Sequence, residues 1–361
     1  MENCLEIDSV NRKTIDFDKI NNTRIEYFEE IIRPNDLLNI LPINENIRKL
    51  VLQTRQSVSN ILNKKDNRLI FIVGPCSIHN VDQAKVYGKQ LKNIAEKVQD
   101  KILIIMRVYF EKPRTTIGWK GLINDPDLNG TFNVNKGLKM ARELLLYLNN
   151  IGLPCGYEIL DTITPQYICD LISWGAIGAR TTESQVHRQV VSGLSMPVGF
   201  KNGTSGEIEV AANAILSAKF PHCFMGITDK GEPAICKTIG NNDCHIILRG
   251  ASTSPNYKQQ FIKKTSEILH QKEITPNIMV DCSHGNSRKN HKNQSIVLDN
   301  IVTQIKNGNK NIIGVMIESN INEGSQKLTD SNQLKYGVSI TDSCISIEET
   351  EQLLMKVYSI I

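Results

Sequence analysis

The sequence predicts an α/β fold, a (β/α)8 TIM barrel with an N-terminal extension and a β-hairpin inserted before strand 6. Three features carry that expectation: eight short β-branched runs, amphipathic helical stretches between them, and a polar or metal-binding side chain closing each run. The runs are LIFIVGPC (69–76), ILIIMRVY (102–109), PCGYEIL (154–160), GAIGAR (175–180), MPVGFK (196–201), HIILR (245–249), NIMVDCSH (277–284) and IIGVMIES (312–319). Nearly continuous apolar character suits strands buried on both faces. The helical stretches include 81–100, 206–220, 256–273 and 295–308, and EETEQLLMKVYSII closes the chain. A doubly wound open sheet would share this alternation, but the short spacing from the fourth run to the fifth favours simple barrel units.

Three segments exceed what a barrel needs. Residues 1–65 read as an arm for assembly or regulation, with a strand in TRIEYFEEIIRP and a helix over 44–63, leaving 66–361 as the catalytic barrel. Residues 110–131 form a long loop rich in Gly, Pro and charge. Residues 221–244 read as the inserted hairpin.

Composition narrows the function. Forty-two Lys and Arg against 38 Asp and Glu leave a net charge of +4, far from the excess of a nucleic-acid binder, so positive charge matters only locally. Nine cysteines, none in a C-x-x-C pair, do not describe a disulfide framework and fit a reducing compartment. The first thirty residues carry acids and no apolar run, and no stretch approaches the roughly 18 apolar residues of a membrane span. The expectation is a cytoplasmic protein with no membrane and no nucleic-acid partner.

In barrels the active site lies at the carboxyl ends of the strands. The residues there are Cys76, Arg107, Glu158, Arg180, Lys201, Arg249, His284 and Glu318. Any one could simply mark where a strand leaves the core; eight in register would converge on one mouth. Arg107, Arg180, Lys201 and Arg249, joined by Lys112 and Arg114 from the stretch FEKPRTTIGWKGL, supply forked and point-charge contacts for phosphate and carboxylate oxygens. So many cations would repel one another in an empty site, which points to a small polyanion. Cys76, His284 and Glu318, with Asp342 from YGVSITDSC, make a mixed S, N, O set suited to one divalent Mn, Fe, Co or Zn ion. None of their spacings is a metal motif, and Cys282 or Cys344 could take the place of Cys76. Lys201 also admits a Schiff-base aldolase reading.

Six stretches, GPCSIHN (74–80), MRVYFEKPRTTIGWKGLINDPDLNGT (106–131), GARTTESQVHRQVVSGLSMPVGFKNGT (178–204), HIILRG (245–250), DCSHGNS (281–287) and GVMIESNINEG (314–324), resemble class I 3-deoxy-D-arabino-heptulosonate 7-phosphate synthase from about residue 20 onward. The resemblance implies condensation of phosphoenolpyruvate with erythrose 4-phosphate, the first step toward chorismate and the aromatic amino acids. It implies metal ligation by Cys76, His284, Glu318 and Asp342. Phosphoenolpyruvate would be held by Arg107, Lys112, Arg180, Lys201 and Arg249 with backbone at Gly178 and Ala179, and erythrose 4-phosphate by Lys112, Pro113, Arg114 and Thr115. Glu158 is a candidate for water activation or lysine orientation, whereas Trp119 reads as a loop-packing aromatic.

The family is commonly tetrameric and feedback-inhibited, so the resemblance also implies a dimer or tetramer and an aromatic amino acid effector. Its pocket would involve Pro165, Gln166, Leu194, Ser195, Phe224 and Gly226. Gly226 stands where Phe-sensitive relatives often carry a hydroxyl, which points away from Phe and toward Tyr, with Trp open.

Overall fold

The computed structural model describes residues 20–114, 116–329 and 331–361. Two helices precede the sheet: α1 (Pro34–Ile40) and α2 (Glu45–Leu62), the latter capped by the Asn44 side chain accepting from Ile47 N. Strand and helix then alternate: β1 (Leu69–Gly74), α3 (Val81–Val98), β2 (Ile102–Arg107), α4 (Val134–Asn150), β3 (Cys155–Glu158) and the single turn α5 (Pro165–Ile168). Next come β4 (Trp174–Ile177), α6 (Gln185–Gly193), β5 (Val198–Lys201) and α7 (Glu209–Ala218). The inserted hairpin follows as β6 (Cys223–Ile227) and β7 (Pro233–Lys237), antiparallel with Met225 opposite Ile235. The chain finishes with β8 (Cys244–Leu248), α8 (Gln259–Gln271), β9 (Ile278–Asp281), α9 (Gln294–Lys306), β10 (Ile312–Asn320), β11 (Ile345–Ser346) and α10 (Ile347–Ile360).

All eight predicted runs form parallel strands in the order β1-β2-β3-β4-β5-β8-β9-β10, and β10 pairs back onto β1, Gly314 opposite Ile70, closing the barrel. Successive side chains alternate between faces. Phe71, Val73, Ile104, Met106, Phe200 and Val280 therefore pack outward under the helices, while Ile70, Ile72, Ile105, Trp174, Ile247, Met279 and Met316 fill the interior. At Gly199 the interior is too tight for a side chain, since a Cβ there would lie 2.5 Å from Ile247 Cδ1.

The arm's α2 belongs to this interior. Its Val58, Ile61 and Leu62 join the interior cluster beside Ile70, and Asn277 Nδ2 donates to Leu62 O at 3.0 Å, so α2 plugs the amino-terminal end. The strand expected within 23–34 does not form in the described residues. Side chains hold that backbone instead: Asn135 Oδ1 accepts from Ile32 N at 2.8 Å and Tyr167 Oη donates to Ile32 O at 2.6 Å.

Several expected strand ends lie beyond the hydrogen-bonded ladder. Cys76, Arg180, Arg249 and His284 sit one to three residues past the ends of β1, β4, β8 and β9, in the turns of the rim. Arg107, Glu158 and Lys201 do end their strands, and Glu318 lies within β10. The turns arise where backbone bonds curl the chain off the sheet, as Thr181 N and Thr182 N do on Gly178 O.

Candidate active site

The same alternation that fills the interior with aliphatics delivers charge at its upper end. Arg107 follows Ile105 by two residues, Asp281 follows Met279, Glu318 follows Met316 and Arg249 follows Ile247, so each charged side chain continues an inward-facing row.

Arg107 is fully buried. Its Nη2 donates to Glu318 Oε1 at 3.1 Å, its Nε donates to Pro75 O at 3.2 Å, and the guanidinium stacks 3.9 Å above the Tyr109 ring. Ser283 Oγ donates to the other Glu318 oxygen at 2.7 Å. Burial alone would raise the pKa of Glu318, but His284, Arg107 and Lys112 override it and hold the carboxyl at about 2. Lys112 reaches in from the 110–131 loop, its Nζ 3.2 Å from both Cys76 Sγ and Cys76 O. Burial opposes the Lys112 charge, yet Cys76, Glu318 and Glu158 outweigh it and push its pKa up.

A second buried pair lies beside the first. Lys201 Nζ stands 3.1 Å from Asp281 Oδ2, which in turn lies 2.9 Å from His284 Nδ1 without the alignment of a hydrogen bond. Burial would raise the Asp281 pKa, but His284 and Lys201 hold it well below the usual range. The other ring nitrogen, His284 Nε2, faces Glu318 Oε1 at 3.7 Å. His284 adopts φ 53°, a left-handed conformation that costs a residue with a Cβ some strain and that the turn after β9 imposes.

Sulfur and oxygen donors of Cys76, Glu318 and Asp342 lie within 4.8 Å of one another, Asp342 at the exposed edge of the group. His284 stands outside that radius but abuts Glu318. The chemistry fits a borderline divalent ion. Burial, then the Glu318 charge, push the Cys76 thiol up to about 11, so a thiolate there calls for a compensating cation.

Arg249 faces this mouth, its charge felt by Asp281, Arg180, Glu318 and Asp342. Its backbone N donates to Asn202 Oδ1 at 2.8 Å, and Asn256 donates both to Asn202 Oδ1 and, through its backbone N, to Asn286 Oδ1. Gly178 approaches Glu158 so closely that a Cβ would lie 2.3 Å from Oε1. Ala179 is half-buried beside it and Arg180 is exposed at the rim. In the loop, Pro113 is half-buried, Arg114 is exposed and folds across Gly118, and Thr115 lies outside the described residues. Trp119 Nε1 donates to Asp125 O at 2.9 Å and the ring packs against the core.

The residues named for an effector lie elsewhere. Pro165 and Gln166 open α5, Leu194 and Ser195 follow α6, and Phe224 and Gly226 lie on β6. Hydrogen bonds from Asn241 Nδ2 to Leu194 O and between Ser192 Oγ and Thr238 Oγ1 tie the end of α6 to the foot of the hairpin. A Cβ at Gly226 would meet Cys236 Sγ at 2.7 Å, so a hydroxyl-bearing residue there requires Cys236 to move.

Sequence reasoning missed Asp281, which links Lys201 to His284. It lies inside DCSHGNS, and its place two residues beyond inward-facing Met279 was the available signal. It also missed Tyr109 and Asn202, which act through contacts no local pattern announces.

Residues 44–355 match the model of the DAHP synthetase I family. The Phe-sensitive phospho-2-dehydro-3-deoxyheptonate aldolase of Escherichia coli K12 is 51% identical, covering 92% of this chain and 94% of the relative. The Tyr-sensitive enzyme of that strain is 48% identical over 94% and 96%. The solved structure of the phospho-2-dehydro-3-deoxyheptonate aldolase from Francisella tularensis SCHU S4 superposes with a TM-score of 0.91 at 47% identity, covering 93% of this chain and 98% of that one.

Proposed function

The chain belongs to the DAHP synthetase I family, and from that premise we propose that its barrel mouth condenses phosphoenolpyruvate with erythrose 4-phosphate and water to give DAHP and phosphate. The observation that carries the reading is the contact of Arg107 with Glu318 and of Lys112 with Cys76, two donors that lie within 4.8 Å of each other and of Asp342: anion-holding cations and a cation-holding donor set stand side by side.

Arg107, Lys112, Arg180, Lys201 and Arg249 hold the phosphate and carboxylate of phosphoenolpyruvate, with Gly178 and Ala179 backbone beside them. Lys112, Pro113, Arg114 and Thr115 receive erythrose 4-phosphate. Fixed cations let two anions approach that would repel in water, turning a disfavoured encounter into a positioned one. C3 of the enol attacks the aldehyde carbon, making the new C–C bond; water adds at C2, and phosphate leaves with C–O cleavage. A divalent ion held by Cys76, His284, Glu318 and Asp342 would supply Lewis-acid polarisation of the aldehyde oxygen. Glu158, against Gly178, serves as the group that handles a proton of the attacking water or orients Lys112. The Schiff-base alternative is disfavoured because Lys201 is engaged in an ion pair with buried Asp281.

The same reading makes this the first committed reaction toward chorismate, in the cytoplasm, catalysed by a dimer or tetramer. An aromatic amino acid inhibits it through a pocket formed by Pro165, Gln166, Leu194, Ser195, Phe224 and Gly226. The test is phosphate release from the two substrates. Chelator should silence it and Mn2+ restore it, and Phe, Tyr or Trp added singly should inhibit. Borohydride trapping of substrate on Lys201, or turnover indifferent to chelator, would overturn the reading.

A further inference from the structure

Each of the four proposed metal ligands has a hydroxyl-bearing neighbour in sequence, or a neighbouring oxygen contact, that ties it to another ligand's segment. Ser77, next to Cys76, shares a 2.7 Å hydrogen bond with Thr341 Oγ1, next to Asp342. On the other side of Asp342, Ser343 Oγ lies 2.8 Å from His291 Nδ1, at the end of the loop that begins with His284. Ser283, next to His284, donates to Glu318 at 2.7 Å. The three links form one chain running from the Cys76 turn to Asp342, across to the His284 loop, and on to Glu318.

Asp342 is where this chain matters most. Cys76 and Glu318 are buried and held by the barrel wall, whereas Asp342 is exposed and lies outside any strand or helix. Nothing in the sheet aims its carboxylate. Its two sequence neighbours are both hydrogen-bonded, one to each adjoining ligand segment. Thr341 is further braced by Ser339, whose Oγ accepts from Thr341 N at 3.2 Å. His291 Nε2 faces Glu323 Oε2 at 3.6 Å, so the ring that meets Ser343 also lies beside a carboxylate.

We propose that Ser77–Thr341 and Ser343–His291 form a two-sided latch that positions the Asp342 carboxylate for a divalent cation, making Thr341 and Ser343 positioning residues of the metal centre. The proposal rests on the metal-site reading above. Outer contacts of this kind orient ligands, and losing one typically weakens metal binding by about 10–100-fold.

The test measures Mn2+ affinity directly, by electron paramagnetic resonance of free Mn2+ in titrations of the full chain, without any turnover. Thr341→Val keeps the shape and removes the hydroxyl; Ser343→Ala removes the other. Each should raise the Kd at least about tenfold while the metal-free protein melts as the parent does, and Ser343→Thr should restore affinity. In an Asp342→Asn background Thr341→Val should cause no further loss, since the carboxylate it aims is gone. Should Thr341→Val fail to fold, Ser77→Ala removes the same hydrogen bond from its other end. If Thr341→Val and Ser343→Ala both bind Mn2+ within twofold of the parent while Cys76→Ser abolishes binding, the latch is overturned and the metal site stands. If Cys76→Ser and Asp342→Asn bind as the parent does, the metal-site reading falls and takes the latch with it.

Discussion

The lower barrel interior, where Ile70, Ile72, Ile105, Trp174, Met279 and Met316 meet the α2 plug, and the upper interior, where Arg107, Lys201, Asp281 and Glu318 meet, are built by the same strands. Two residues along a strand separate the layers, and both are fully shielded from water. The lower layer needs only volume filled, because apolar atoms have no partners to find. The upper layer needs every charge matched, because a buried ion left unpaired is costly. A pair of buried glutamates shows the same rule at one residue type. Glu318, among His284, Arg107 and Lys112, is held at about 2. Glu111, hydrogen-bonded to the Tyr157 hydroxyl and near Asp161, is pushed by burial up to about 7. Burial is common to both; the cations make the difference.

Breaking the upper layer should have the largest effect. Arg107→Met takes from Glu318 its closest cationic partner and, on the proposed reading, removes an anion contact, so kcat/KM should drop by about 10²–10³. The metal-free protein should lose about 3–5 kcal/mol in urea unfolding. Retained activity would show that Arg107 only fills space.

The contrast between glutamates predicts a pH effect next in size. A carboxyl whose folded pKa lies above its ordinary value keeps its proton longer in the folded state, so stability is present below about pH 4.5 and is lost as pH rises through about 7. Glu111→Gln should remove that decline, worth up to about 3 kcal/mol between pH 5 and 8. A parallel pH–stability curve for parent and variant would contradict it.

The smallest effect belongs to the lower layer. Ile72→Val should cost about 0.5–1.5 kcal/mol and leave kcat/KM unchanged, read by thermal melting and steady-state rates. A catalytic defect there would mean that the two layers are mechanically coupled.

Much of this was legible beforehand because a closed parallel barrel imposes strong local rules. Eight buried strands must be short, apolar and β-branched, and all eight runs proved to be strands. Residues such as Arg107, Lys201 and Glu318 stood out because charge closing an apolar run is conspicuous. Asp281 escaped because Cys282, Ser283 and His284 follow it within one predicted run, which placed the strand end three residues late. The role of α2 as a plug escaped because an amphipathic helix does not state which surface it covers.

The sequence by itself determined the strand count, the alternation that sends one face inward, and the residue types available at the rim, since these follow from periodicity and side-chain chemistry. Only the tertiary structure decided which of those groups meet: that Lys201 pairs with Asp281, that Lys112 lies against Cys76, and that Asp342 reaches Cys76 and Glu318. Such meetings depend on ring closure and loop paths that bring together residues dozens to more than 200 positions apart in the chain, sequence separations at which local pattern carries no signal.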